Sequence, residues 1–315
     1  MTNPCEVFCF GNAVADVLAR PVDHLAPPGT SQSLQDVVLG PGGNGINTAI
    51  SLARLGVAVR VAAAIGDDHF GQFIRERVRA EGIDDAGLVT LSDAKTSTSI
   101  VLVESTGERR FLHLRGVNAY YSGQNLDWEK VAGSRVFHYA SAFAIPPFDE
   151  TCLESALKRA RESGCLTSIN VCWDVRGGWL KTLRPALAYT DLIFPNREEG
   201  RQLTGESEPT AIAGCLRGLG VKTVIVKLGA GGCYVESPQG SFTSPGFSVQ
   251  PVDTTGAGDC FAAGFLAAVC RGQTLAFAAR YANATGALAT LGLGGADSAP
   301  TLAQLEDFLR DHPAP

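Results

Sequence analysis

Short runs of unbroken apolar residues, each followed by a segment of helical period, constrain this chain more than any other feature. Residues 7–10, 57–65, 136–139, 166–170, 192–194 and 223–227 read as strands. Residues 46–55, 70–80, 148–163, 211–219, 257–271, 275–291 and 301–310 read as helices. A strand without polar alternate positions must be covered on both faces, and a mostly parallel sheet between helices provides that cover. The last helix opens on Thr301 with a Thr-x-x-Gln capping box. With 315 residues, 45% of them hydrophobic, the chain has ample material for a sizeable core.

Two segments break the alternation. Residues 14–40 carry Pro21, Pro27, Pro28 and Gly29 between short apolar pieces. Residues 96–121 hold two strand-like runs, 99–103 and 109–114, joined by the turn Ser105-Thr106-Gly107-Glu108. Both read as strands that leave the main sheet and form a small flap. No repeat, linker or low-complexity tract divides the rest, so the expectation is one domain over residues 1–315 with lid segments at about 14–40 and 96–121.

The formal net charge is −6 and no dense Lys/Arg run occurs, which argues against nucleic acid or an anionic membrane surface as partner. The most apolar stretch, 260–270, is too short to span a bilayer. The opening residues show neither a basic region nor an apolar signal segment. Nine cysteines, including Cys5 and Cys9 four apart, form no CxxC pair and have no zinc-spaced partners. They read as reduced thiols of a cytoplasmic protein.

The most telling string is DTTGAGDCFAAGF, from Asp253 to Phe265. A Gly-Ala-Gly turn exposes backbone N–H groups, a long apolar helix begins there, and a carboxylate sits in its first turn. Bare amides and the helix dipole attract an anion at such a terminus, and small residues let it approach closely. Asp259 would then lie beside the anion, poorly placed to bind phosphate but well placed to take a proton from an attacking hydroxyl. Alone, Gly-Ala-Gly-Asp is equally an Asp capping a buried helix. The longer string resembles the C-terminal signature of the PfkB, or ribokinase-like, carbohydrate kinases. That resemblance implies that Gly256, Ala257 and Gly258 form an anion hole and that Asp259 is the base.

Gly40-Pro-Gly-Gly-Asn-Gly-Ile-Asn47 contains a literal GxGxxG ahead of a helix, with Asp67 and Asp68 about twenty residues on. This sketches a dinucleotide-binding fingerprint, although that fingerprint usually follows the first strand of its sheet. The same string, GGNGINTAISLARLG, also resembles the N-terminal PfkB signature, which implies that Gly42, Gly43 and Asn47 hold the phosphate acceptor. Taken alone, Asn47 is a helix residue bonding locally.

Other strings match the family in order. Asp16, after the first strand, stands where the resemblance implies a contact with acceptor hydroxyls and is the candidate for it; a turn residue is the alternative reading. Asn196-x-x-Glu199 is a good capping box by itself. The resemblance adds Asn196 beside the nucleotide and Glu199 organising hydrated magnesium, which keeps several waters. Lys227-Leu-Gly229-Ala-Gly231-Gly232 resembles the nucleotide-side loop, and Asn283, with residues 292–295, the adenine region. Asp253 and Thr255 occupy positions that in some relatives hold a monovalent cation such as potassium. Asn170 departs from the pattern, standing where an Asp is usual, as does Cys172, where an Asn is common.

The resemblance runs from about residue 6 to residue 310. It implies a ribokinase-like three-layer α/β/α sandwich with a mostly parallel central sheet and a small β-sheet lid, through which relatives often dimerise. The implied reaction moves the γ-phosphoryl group of ATP, with Mg2+, onto a hydroxyl of a sugar or sugar-like molecule. Two alternatives share the scaffold. A nucleoside kinase wants an apolar base pocket in the lid. A phosphosugar kinase wants cations there, and strand alternation puts Arg109, His113 and Arg115 on one face and Arg110 on the other. Solvated lid charge is the plainer account of these residues. An NAD(P)-dependent oxidoreductase and a non-catalytic sugar-binding protein are the alternatives from other classes.

Overall fold

The computed structural model describes residues 6–106 and 108–313. Cys5, and Gly107 of the expected hairpin turn, lie outside the described residues. The strands are β1 (Val7–Phe10), β2 (Val14–Arg20), β3 (Asp36–Gly42), β4 (Val59–Gly66), β5 (Asp84–Leu91), β6 (Thr98–Val103) and β7 (Arg109–Leu114). They continue with β8 (Val136–Ala142), β9 (Leu166–Val171), β10 (Leu192–Phe194), β11 (Thr223–Lys227), β12 (Cys233–Ser237) and β13 (Gly240–Ser244). The helices are α1 (Asn44–Arg54), α2 (His69–Ala80), α3 (Trp128–Ala132), α4 (Pro146–Thr151), α5 (Leu153–Glu162) and α6 (Trp179–Leu187). The rest are α7 (Arg197–Thr204), α8 (Pro209–Gly218), α9 (Ala257–Cys270), α10 (Leu275–Ala289) and α11 (Leu302–Asp311).

Nine strands form one sheet in the order β13-β12-β11-β10-β9-β8-β1-β4-β5, parallel from β11 to β5 and antiparallel at β12 and β13. Alternation along each strand feeds two cores. Val7 and Cys9 pack with α1, α9 and α10, whereas Phe8 and Phe10 pack with Tyr139, Phe148 and Leu157 on the opposite face. Burial on both faces explains why these strands read as unbroken apolar runs. Helix α9 is apolar around most of its girth because it too is enclosed, with eleven buried residues from Asp259 to Cys270.

The remaining strands form a second sheet in the order β3-β2-β6-β7. Its registers align Gly40, Asp16, Ser99 and His113 in one row. The strands come from the two segments that break the sequence alternation. Here β3 corrects the dinucleotide fingerprint: the GxGxxG residues end an edge strand of the small sheet rather than the first strand of the parallel one. Asp68 is the N-cap of α2, accepting from Gly71 N–H at 2.9 Å.

The expected helix over 148–163 is two helices, because Cys152 at φ −124° leaves helical conformation between them. Thr301 caps α11 with the expected capping box. Among the described residues no helix is long and apolar enough to cross a membrane, and Cys152, Cys165, Cys172, Cys215, Cys233 and Cys260 are free thiols.

Candidate active site

Parallel strands end together, so β9 and β11 deliver Asn170 and Lys227 to the same edge of the sheet where α1 and α9 begin. Asp259, third residue of α9, is 5% exposed. Its Oδ1 accepts from Asn44 Nδ2 and Asn170 Nδ2, both at 2.9 Å, and its Oδ2 accepts from Asn47 Nδ2 at 3.0 Å. These donors fill three of a carboxylate's about four lone-pair directions and leave one on Oδ2. Burial pushes the Asp259 pKa up, while Asn47, Asn44, Lys227 and Asn170 oppose the rise. A carboxylate fixed in one orientation, with a raised pKa and one free direction, suits a general base.

Asn47, expected on the acceptor, donates its amide nitrogen to Asp259 and so orients the carboxylate, while its Oδ1 has no hydrogen-bond partner among the described residues. Asn44 likewise orients the carboxylate and is the residue that reading the sequence passed over. The signal was present: positions three apart on a helix share a face. Asn170 explains its own departure from the family pattern. Its Nδ2 donates to Asp259 while its Oδ1 accepts from Lys227 Nζ at 2.9 Å, and a carboxylate cannot donate. Cys172 is packing: its Sγ lies 2.8 Å from Ala142 O, and burial holds the thiol well above its usual pKa.

Gly256 caps α9 with φ 71°, and a Cβ there would stand 2.7 Å from Gly295 Cα, so no other residue fits the turn. Not every amide of the turn is bare. Ala257 N–H turns back to Thr254 O at 3.3 Å and Asp259 N–H to Gly256 O at 3.0 Å. Gly258 N–H has no backbone partner among the described residues, and Lys227 Nζ lies 3.2 Å from where its Cβ would be. An amide and an ammonium thus stand side by side next to the carboxylate, at the wall of a cavity of about 540 Å3. Lys227, Gly229, Gly232, Gly258 and Asn283 line it. Gly231 is not on that wall. Asn283 Nδ2 is committed to Ser244 O, Ser244 Oγ and Pro245 O at 3.0–3.2 Å, so it shapes the cavity by pinning the end of β13.

Asn196 and Glu199 form the capping box of α7: Glu199 N–H donates to Asn196 Oδ1 at 2.8 Å and Asn196 N–H to Glu199 Oε2 at 2.7 Å. Glu199 is buried, and its pKa is raised by that burial, with Lys227 opposing and Asp259 adding to the rise. It therefore shares the field of the site while capping its helix. Among the described residues no three His, Cys, Asp or Glu gather into a metal cage. A magnesium ion bound with a nucleotide is held mainly by phosphates and water, so a single carboxylate such as Glu199 would suffice on the protein side.

On the small-sheet side, Asp16 lies over bare backbone: a Cβ on Gly42 would stand 1.9 Å from Asp16 Oδ2. Burial pushes the Asp16 pKa up to about 7; Ser99 pulls it down and Asp253 adds to the rise. Ser99 Oγ and His113 Nδ1 are hydrogen-bonded at 3.0 Å, and burial with nearby Arg115 lowers the His113 pKa. Gly43, the N-cap of α1 at φ 87°, would bring a Cβ within 2.7 Å of Asn12 O, so it shapes the turn that aims Asn44 and Asn47. Arg109 corrects the reading of solvated lid charge. Its Nη1 lies 2.5 Å from Asp253 Oδ1 and donates to Thr255 Oγ1. Arg110 faces away and pairs with Glu104 at 2.8 Å, and Arg115 lies beyond the end of β7.

Comparison with known proteins identifies the family. The family model described as pfkB family carbohydrate kinase matches residues 5–302. The ATP-dependent ribose-1-phosphate kinase of Halopiger xanaduensis is 32% identical over 308 residues, covering 97% of this chain and 98% of that protein. Fructokinase-1 of Zea mays is 31% identical over 280 residues, covering 84% and 87%. The structure of Arabidopsis thaliana ribokinase complexed with ribose and ATP superposes with a TM-score of 0.84 at 25% identity, covering 97% of this chain and 98% of that one.

Proposed function

The chain belongs to the pfkB family of carbohydrate kinases, and we propose that Asp259 is the base with which it transfers the γ-phosphoryl group of ATP to a sugar hydroxyl. It is an ATP-dependent phosphotransferase with an alcohol acceptor. One observation carries the assignment of the base: a buried carboxylate with a single open direction beside the Gly258 amide and the Lys227 ammonium.

The steps follow from that placement. The nucleotide occupies the cavity along Gly229, Gly232 and Asn283, with its phosphates toward Gly258 and Lys227. Charge that develops on the transferring group meets the Gly258 N–H and the Lys227 cation, which are fixed before reaction begins. Asp259 Oδ2 takes the hydroxyl proton as the oxygen attacks the γ-phosphorus and the bond to the β–γ bridging oxygen breaks, releasing ADP. Magnesium, when bound, neutralises phosphate charge, and Glu199 would hold its water shell. Asp16 accepts hydrogen bonds from a vicinal diol over the bare backbone at Gly42. The small sheet acts as a lid that excludes water, a competing acceptor.

A neutral sugar fits this lid better than a phosphosugar. Arg109 is engaged by Asp253, Arg110 points away, and His113 has a lowered pKa. The face of the small sheet opposite Asp16 carries Val37, Leu39, Ile100, Leu112 and Leu114, all exposed. Apolar rows on water of this kind are what a homodimer covers. Free thiols such as Cys152 and Cys215 suit a reducing cytoplasm.

The test is ADP release with MgATP over ribose, fructose, keto-deoxy sugar acids, nucleosides and ribose 1-phosphate, the acceptor class named for the Halopiger relative. A neutral sugar should give the highest kcat/KM. If ribose 1-phosphate outperforms every neutral sugar, the lid reading is wrong and Arg109 must leave Asp253 to bind it.

A further inference from the structure

Asp253 is 1% exposed and both of its carboxylate oxygens have partners. Oδ1 accepts from Thr255 N–H at 2.6 Å and lies 2.5 Å from Arg109 Nη1, while Oδ2 accepts from Gly294 N–H at 2.9 Å. The same Nη1 donates to Thr255 Oγ1. The two side-chain oxygens that the family resemblance offers to a monovalent cation therefore already share one guanidinium nitrogen. A second positive charge on the same oxygens would stand against Arg109 in a buried, weakly screened place. The side chains present do not fit a potassium ion at this position.

We propose that Arg109 is the resident cation of this site, and that it makes the shape of the anion-binding turn depend on the position of the small sheet. A buried carboxylate needs a counter-charge, and here that charge comes from the first residue of β7, the edge strand of the other sheet. Asp253 holds both the start of the turn, through Thr255 N–H, and the loop at Gly294, whose neighbour Gly295 packs against Gly256. Lowering the small sheet delivers the guanidinium and fixes Thr255, one residue before Gly256. Raising it withdraws the charge and releases the Thr255 hydroxyl. Arg109 is thus a positioning residue, acting on the phosphoryl group through the turn. The inference rests on residues 256–258 being the anion hole for its kinetic consequence, but not for its thermal one.

The wild-type enzyme is assayed with MgATP and its best acceptor in tetramethylammonium salts, with potassium exchanged in at constant ionic strength. Its thermal unfolding midpoint is followed in the same buffers. Neither kcat nor the midpoint should respond to potassium. In Arg109→Ala, kcat should fall at least about tenfold through misplacement of the turn, and potassium should restore part of it saturably while raising the midpoint. Arg109→Lys should keep activity independent of potassium. Saturable activation of the wild type by potassium, or an Arg109→Ala enzyme with unchanged kcat and no response to potassium, overturns the proposal. The wild-type arm and the thermal midpoints decide it even if the assignment of Asp259 fails, because neither depends on which group is the base.

Discussion

The two sheets contribute to one site by different physics. The nine-stranded sheet is covered on both faces, and its strand ends hold Asn170 and Lys227 against helix N-termini that cannot move without disturbing a core. The four-stranded sheet is half exposed, with Leu112 and Leu114 in water, and reaches the site through its inner face. Groups that must meet developing charge within tenths of an ångström sit on the first, where packing fixes them. Groups that recognise the acceptor or respond to closure sit on the second. Damage to the large-sheet groups should therefore lower kcat, damage to the acceptor contacts of the small sheet should raise KM, and Arg109, which crosses from the small sheet to Asp253, should act on kcat.

Asp259→Asn is the harshest test of that division: kcat should fall about 10²–10⁴-fold with the ATP affinity retained, as read by steady-state kinetics and nucleotide titration. Lys227→Met should lower kcat about 10²-fold and leave the acceptor KM nearly unchanged; a rise in KM alone would move Lys227 to the recognition side. Asp16→Asn should do the reverse, raising the acceptor KM about 10–100-fold with a modest change in kcat. The Asp16 pKa is about 7, and only the ionised carboxylate accepts both bonds of a diol. Acceptor kcat/KM should therefore climb as pH rises through 7 in the wild type, and this limb should vanish in Asp16→Asn. The mildest change is Leu112→Lys, on the outer face, which should convert a dimer to monomers in sedimentation without altering kcat. An unchanged sedimentation profile would remove the dimer from the account.

Legibility in the sequence followed the same division. The strands at residues 7–10, 192–194 and 223–227 were readable to the residue because burial on both faces forbids polar interruptions. Strand β5 and the antiparallel strands β12 and β13 were missed; Asp84–Leu91, for one, alternates exposed and half-buried positions around a single buried residue, Leu88, and carries no continuous apolar run. In the site, the Gly-Ala-Gly-Asp turn could be found because bare amides need small residues in consecutive positions. Partnerships across distant segments left no local mark. That Asn47 serves Asp259, that Asn170 must be an amide, and that Arg109 crosses to Asp253 are contacts spanning 212, 89 and 144 positions. Only the alternation that set Arg109 on the inner face pointed toward the last of these.

A crystal structure of the enzyme with its acceptor, MgADP and a planar metal fluoride in place of the transferred phosphoryl group addresses the central claim directly. The acceptor hydroxyl should lie within hydrogen-bond reach of Asp259 Oδ2, about 2.6–3.2 Å, with the fluoride against Gly258 N–H and Lys227 Nζ. A hydroxyl resting on another group, or a fluoride away from that amide, would contradict it.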